Sequence, residues 1–117
     1  MKKDNIVQIK SYAFAIKIIQ TYKQLVSEKN EYVLSKQLLR CGTSIGANIE
    51  EAIGGQSEKD FFAKITISYK EARETKYWLN LLKDTNYLSE NMATDLINDI
   101  DELLRILGSI QKTIRNS

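Results

Sequence analysis

Apolar residues recur at alternating steps of four and three along almost the whole chain, and that spacing leaves few folds open. It keeps one stripe of each helix turned toward a partner helix. Four such segments are separated by three short polar breaks. The first spans about residues 5–27, where Phe14, Ile18 and Leu25, and also Tyr12, Ile16, Ile19 and Val26, recur at helical spacing. The second, about 32–53, has the seam Leu34, Leu38, Cys41, Ile45, Asn48 and Ala52. The third, about 58–84, has Phe61, Ile65, Ser68, Ala72, Thr75, Leu79 and Leu82, and the fourth, about 90–115, has Leu96, Ile100, Leu103, Leu107, Ile110 and Ile114. Long helices joined by short turns predict an all-α, antiparallel up-down-up-down four-helix bundle, with residues 1–117 as one domain.

The boundaries have their own chemistry. Ser57-Glu58-Lys59-Asp60 reads as a capping-box-like start to the third helix, and Ser89 as the N-cap of the fourth. Gly54-Gly55 follows the second segment, where a left-handed C-cap is expected. The middle of the third seam is small, and Gly42 and Gly46 in the second segment suggest a close helix–helix approach to match it. A glycine inside a helix costs about 1 kcal/mol relative to alanine, so two of them four apart imply a packing reason.

Composition then narrows the function classes. There is no His, which removes the Glu-x-x-His motif of the di-iron sites that four-helix bundles host. The single cysteine, Cys41, excludes an internal disulfide and a Cys-based zinc site, and its place on the seam makes it a small buried hydrophobe. No Pro and only five Gly argue against a turn-rich β fold. No motif supports a catalytic residue, a metal site or a cofactor, so a non-enzymatic protein is expected. The start of the chain has no apolar signal-peptide core and no apolar run is long enough to span a membrane, so a cytoplasmic protein without membrane contact is expected.

Two polar features stand out. Arg40, Ser44, Asn48 and Glu51 share a face beside the second seam, and Glu71, Glu74 and Trp78 recur at matching steps on the third helix. We read these seven residues as a structural polar network, because buried polar groups must be paired and so restrict geometry. The second feature is charge placement. The net charge is only +2, yet the first segment contains no Asp or Glu between Asn5 and Ser27. Lys3, Lys10 and Lys17, seven apart, share one of its faces, and Lys59, Lys70 and Arg73 cluster on the third helix. A one-sign face of this kind contacts phosphates without reading sequence, so these six residues form the candidate RNA- or DNA-binding set. The first helix also carries an apolar arc of roughly 220°, wider than a bundle helix buries, which predicts a homo-oligomer.

The motifs resemble a family. Ser44-Ile45-Gly46-Ala47-Asn48-Ile49-Glu50-Glu51-Ala52 is similar to the S-I-x-x-N-I-x-E-[AG] signature of the small four-helix-bundle proteins associated with the 23S rRNA intervening sequence. Leu38-Leu39-Arg40 matches the lead-in to that signature, and Ser57-Glu58-Lys59-Asp60-Phe61 its S-x-x-[DE]-F entry to the third helix. Lys70-Glu71-Ala72-Arg73-Glu74-Thr75-Lys76-Tyr77-Trp78-Leu79 is similar to the variant K-E-A-x-E-T-x-Y-W-L of the third helix. The resemblance implies a bacterial protein that assembles as a ring-shaped homopentamer, with a related branch whose members bind nucleic acid and a reverse transcriptase. The chain departs from the family pattern in two places. Ser27-Glu28-Lys29-Asn30-Glu31 lacks the Phe-Pro element between the first two helices, and Gly42 and Gly46 stand where larger residues are common.

Overall fold

The computed structural model describes residues 2–117, with side chains from Ile6 onward. Its four helices are α1 (Lys2–Lys29), α2 (Leu34–Ile53), α3 (Glu58–Asp84) and α4 (Glu90–Arg115). They pack in ring order, α1 on α2, α2 on α3, α3 on α4 and α4 back on α1, within a body of 46 × 20 × 19 Å. Cross-helix contacts run in opposite directions at every interface. Gln8 meets Glu50 while Ile18 meets Gly42; Lys76 meets Asp101 while Thr66 meets Gln111. Neighbouring helices are therefore antiparallel, as an up-down-up-down bundle requires.

The expected seams are buried along most of their length, with Leu34, Phe61 and Ile114 half-buried near their ends. Ile65, Ser68, Ala72, Thr75, Leu79 and Leu82 are buried on α3, and Leu96, Ile100, Leu103, Leu107 and Ile110 on α4. On α2, Ile49 takes the core position beside Ile45, and Asn48 sits half-buried at its edge. The wide arc of α1 divides in two. Val7, Phe14, Ile18 and Leu25 enter the core, whereas Tyr12, Ile16 and Ile19 stay exposed.

The two helix-interior glycines do not serve α3. A Cβ on Gly42 would lie 2.8 and 2.9 Å from Cγ1 and Cγ2 of Ile18, and one on Gly46 would lie 3.3 Å from the Ser11 hydroxyl, so both glycines admit α1. The small middle of α3 meets α2 at another point, where the Ser68 hydroxyl donates to the Ile45 carbonyl at 2.9 Å. That bond requires a short side chain on α3 and brings the two backbones together.

The turn after α2 differs from expectation in its closing residues. Gly54 has φ −82°, so no left-handed cap forms there; its N–H and that of Gly55 instead close back onto the Glu50 and Ala52 carbonyls at 3.1 Å. The left-handed positions are Asn30 (φ 53°) and Asn86 (φ 66°), just past the ends of α1 and α3. Asparagine tolerates this region better than other side-chain-bearing residues do. After Asn30 the chain needs no proline to start α2. The Glu31 carboxylate accepts the N–H groups of Val33, Leu34 and Ser35 at 3.2, 3.0 and 2.6 Å, and the Ser35 hydroxyl donates to the Glu31 carbonyl at 2.8 Å. Burial works to raise the pKa of this carboxyl, but the backbone donors outweigh it and hold the group below its usual value. Ser57 and Ser89 cap α3 and α4 as the sequence predicts, accepting from the N–H of Asp60 and Met92 at 3.1 and 3.2 Å.

Candidate nucleic-acid interface and the polar clusters

The acid-free face of α1 is not left open. Lys17 reaches Asp95 at 2.6 Å and Asp99 at 2.5 Å, and Lys10 reaches Glu102 at 3.2 Å. The antiparallel register brings the acidic first half of α4 alongside these lysines. For Lys17, burial disfavours the charge, yet the hydrogen bonds to Asp95 and Asp99 prevail and raise its pKa above the usual lysine value. This corrects the expectation for α1: Lys10 and Lys17 form an interhelix ion-pair seam with α4, so their face is of mixed sign. Lys3 lies outside the residues whose side chains are described. The sequence held a signal for this pairing. Asp95, Asp99 and Glu102 are spaced four and three on the helix that must run antiparallel beside α1.

Lys59, Lys70 and Arg73 are exposed and form no ion pair among the described residues. Lys70 is near enough to Glu74 to help lower its pKa without bonding to it. The register of α3 and α4, set by Thr66 with Gln111 and Lys76 with Asp101, places two further exposed cations on the same side. Arg105 comes level with the stretch between Lys70 and Arg73, and Lys112 with the stretch between Lys59 and Lys70. Sequence reasoning left both Arg105 and Lys112 off the face. No single-helix pattern joins residues from α3 and α4; only their alignment does.

The seven residues of the expected polar network form three separate clusters. Arg40 donates to Glu71 at 3.3 Å and to Glu74 at 2.7 Å, and the Trp78 indole N–H donates to the same Glu74 oxygen at 3.1 Å. These bonds, from Trp78 first and Arg40 second, lower the Glu74 pKa, while Glu74 raises that of Arg40. Asn48 closes within α2, donating to the Ser44 carbonyl at 2.9 Å and hydroxyl at 3.0 Å. Glu51 pairs with Lys64 across to α3 at 3.0 Å. Ser44–Asn48 and Glu51–Lys64 thus do not join the Arg40 cluster. Among the described residues, no group of three or more potential metal-ligating side chains converges. Cys41 is fully buried with its thiol toward the Leu38 carbonyl at 3.7 Å, and burial pushes its pKa up to about 11.

A contrasting surface lies between α1 and α2. Exposed Ile9, Tyr12, Ile16 and Ile19 line the outside of α1. Beside them opens an apolar groove of about 270 Å³, lined by Tyr12, Ala15 and Ile19 from α1 and by Thr43, Gly46 and Ala47 from α2.

Residues 3–109 match the family model described as 23S rRNA-intervening sequence protein. The chain belongs to that family. The fold agrees with a crystal structure of a protein of unknown function from the S23 ribosomal protein family of Bacteroides thetaiotaomicron. That structure superposes with a TM-score of 0.92 at 51% sequence identity, covering 94% of this chain and 98% of the other. No curated protein matches. Among the described residues of this 23S rRNA-intervening sequence protein, no helix is long and apolar enough to cross a membrane.

Proposed function

We propose that this chain is a non-enzymatic, self-associating helical bundle that holds RNA or DNA on the outer face of α3 and α4. One observation carries the reading. Lys59, Lys70, Arg73, Arg105 and Lys112 are all exposed, lie on one side and form no ion pair among the described residues. Lys10, Lys17, Arg40, Lys64 and Lys76 are each taken by a carboxylate of a neighbouring helix; Lys23, Lys29 and Lys36, on α1 and α2, are exposed and unpaired among the described residues as well, three cations against the five on α3 and α4. Unneutralised cations on one face release counterions when they meet phosphates, which makes binding steeply dependent on salt.

Self-association is supported by the apolar outer face of α1, with Ile9 and Tyr12 each 68% exposed. Because α1 and α3 sit diagonally in the bundle, a contact through α1 leaves the basic side of α3 accessible. Five copies is the number that the family resemblance implies. A nucleoprotein partner such as a reverse transcriptase would meet the same basic face; the second reading is a structural or protein-interaction module with no nucleic-acid role. It is favoured by the neutralisation of Lys10 and Lys17.

Fluorescence anisotropy with a labelled hairpin RNA, titrated with salt, separates the two. The pair K70E/R73E is expected to abolish low-salt binding, and each single reversal to lower the salt slope by about one. K10E is expected to leave the slope unchanged. Absence of binding at low salt, or equal effects of K10E and K70E/R73E, refutes the basic-face reading.

A further inference from the structure

Tyr77 is 59% exposed and follows Lys70 and Arg73 on α3 at steps of three and four, so it continues their face. A single exposed aromatic would need no explanation on its own, but this one has a built support. Its ring stands edge-on to Trp78, with centroids 5.3 Å apart and planes at 74°. Trp78 is tied through its indole N–H to Glu74, and Glu74 is held in turn by Arg40 from α2. The Arg40 cluster therefore supports an aromatic ring that is largely open to solvent.

We infer that Tyr77 is a stacking platform for an unpaired nucleobase, so that the α3–α4 face takes single-stranded or looped nucleic acid in preference to a closed duplex. The inference rests on the basic-face reading above and specifies its ligand. The physical reason is that every base has a π-face that stacks on an aromatic ring once it is unpaired, whereas a duplex keeps its bases stacked on each other. Lys70 and Arg73, within about two helical turns of Tyr77, are placed to hold the flanking phosphates. The chemistry is common to RNA and DNA, and paired oligonucleotides of one sequence distinguish them.

The test uses the full chain, with labelled oligoadenylate RNA, the same sequence as DNA, and a blunt RNA duplex. Y77L is expected to weaken binding of the unpaired probes about tenfold or more, to leave duplex binding unchanged, and to be restored by Y77F. Circular dichroism and the thermal midpoint confirm that each variant is folded. If Y77L binds unpaired probes as well as wild type while K70E/R73E does not, the stacking inference fails and the basic-face reading stands. If no probe binds at low salt, both fail.

Discussion

Replacing Gly42 with alanine sets two effects of known sign against each other. Helix propensity favours alanine by about 1 kcal/mol in an α-helix interior. Against this, the new methyl would sit 2.8, 2.9 and 3.1 Å from three carbons of Ile18. Ile18 is fully buried and branched at Cβ, so it has no free rotamer to retreat into. Overpacking of this sort costs about 1–3 kcal/mol from side-chain strain and helix displacement. The net expectation is destabilisation by about 0–2 kcal/mol. The deciding assay is a double-mutant cycle by urea unfolding of G42A, I18A and the pair. I18A alone removes buried atoms and costs about 2–4 kcal/mol. In its background the clash is gone, so G42A should become stabilising. That change of sign requires a coupling of at least about 1 kcal/mol between contacting residues. G46A is the internal control. Its methyl meets only the Ser11 hydroxyl at 3.3 Å and the adjoining backbone at 3.5 Å or more, so stability should stay within about 1 kcal/mol of wild type. A G42A protein more stable than wild type, or additive effects of G42A and I18A, would refute the claim that this glycine exists to admit α1.

Glu31 should make stability fall in acid. Its folded pKa lies below the usual 4.5, so its contribution is complete above that value and is lost as pH falls through the lowered one. E31Q should cost about 1–3 kcal/mol at pH 7, and the gap in thermal midpoint between wild type and E31Q should narrow as pH falls below 4.5 and close once it has passed the lowered pKa; a pH-independent gap would contradict this. The Cys41 thiol should resist a thiol reagent in the folded protein and react only at the rate of unfolding, since its pKa is about 11 and it is fully buried. Fast native-state labelling would show that α2 does not seal it. The α1–α4 ion pairs are half-exposed, so K17M should shift stability by no more than about 1 kcal/mol, and less in high salt. On the outer face of α1, Y12E/I16E should lower the mass seen by light scattering without unfolding the chain; a monomeric wild type at micromolar concentration would remove the self-association reading.

The periodic seams were legible because burial along a helix follows from side-chain spacing alone. The α3 and α4 core positions, the N-caps Ser57 and Ser89, and the helix ends near Ile53, Asp84 and Arg115 all depend on residues within a few places of one another. The family motifs were legible for the same reason, being contiguous strings. Local chemistry also misled in places. Gly54-Gly55 looked like a left-handed cap, but the left-handed positions fell to Asn30 and Asn86, and Glu31 capped α2 from two residues ahead of its N-cap position.

By itself, then, the sequence determined the helices, their faces and the bundle they must form, since each is set by an alternation of four and three and by residues one turn apart. The tertiary structure alone decided which charges meet. Lys10 and Lys17 read as an open basic face until the register of α4 set Glu102, Asp95 and Asp99 against them. Lys70 and Arg73 kept their charge and gained Arg105 and Lys112 beside them. Whether Gly42 faces α1 or α3, and whether Glu74 meets Arg40 or Glu51, rests likewise on how helices are rotated and aligned. Ion pairing, desolvation and close approach act over a few ångströms of space, and no spacing within one helix records which neighbour occupies that space.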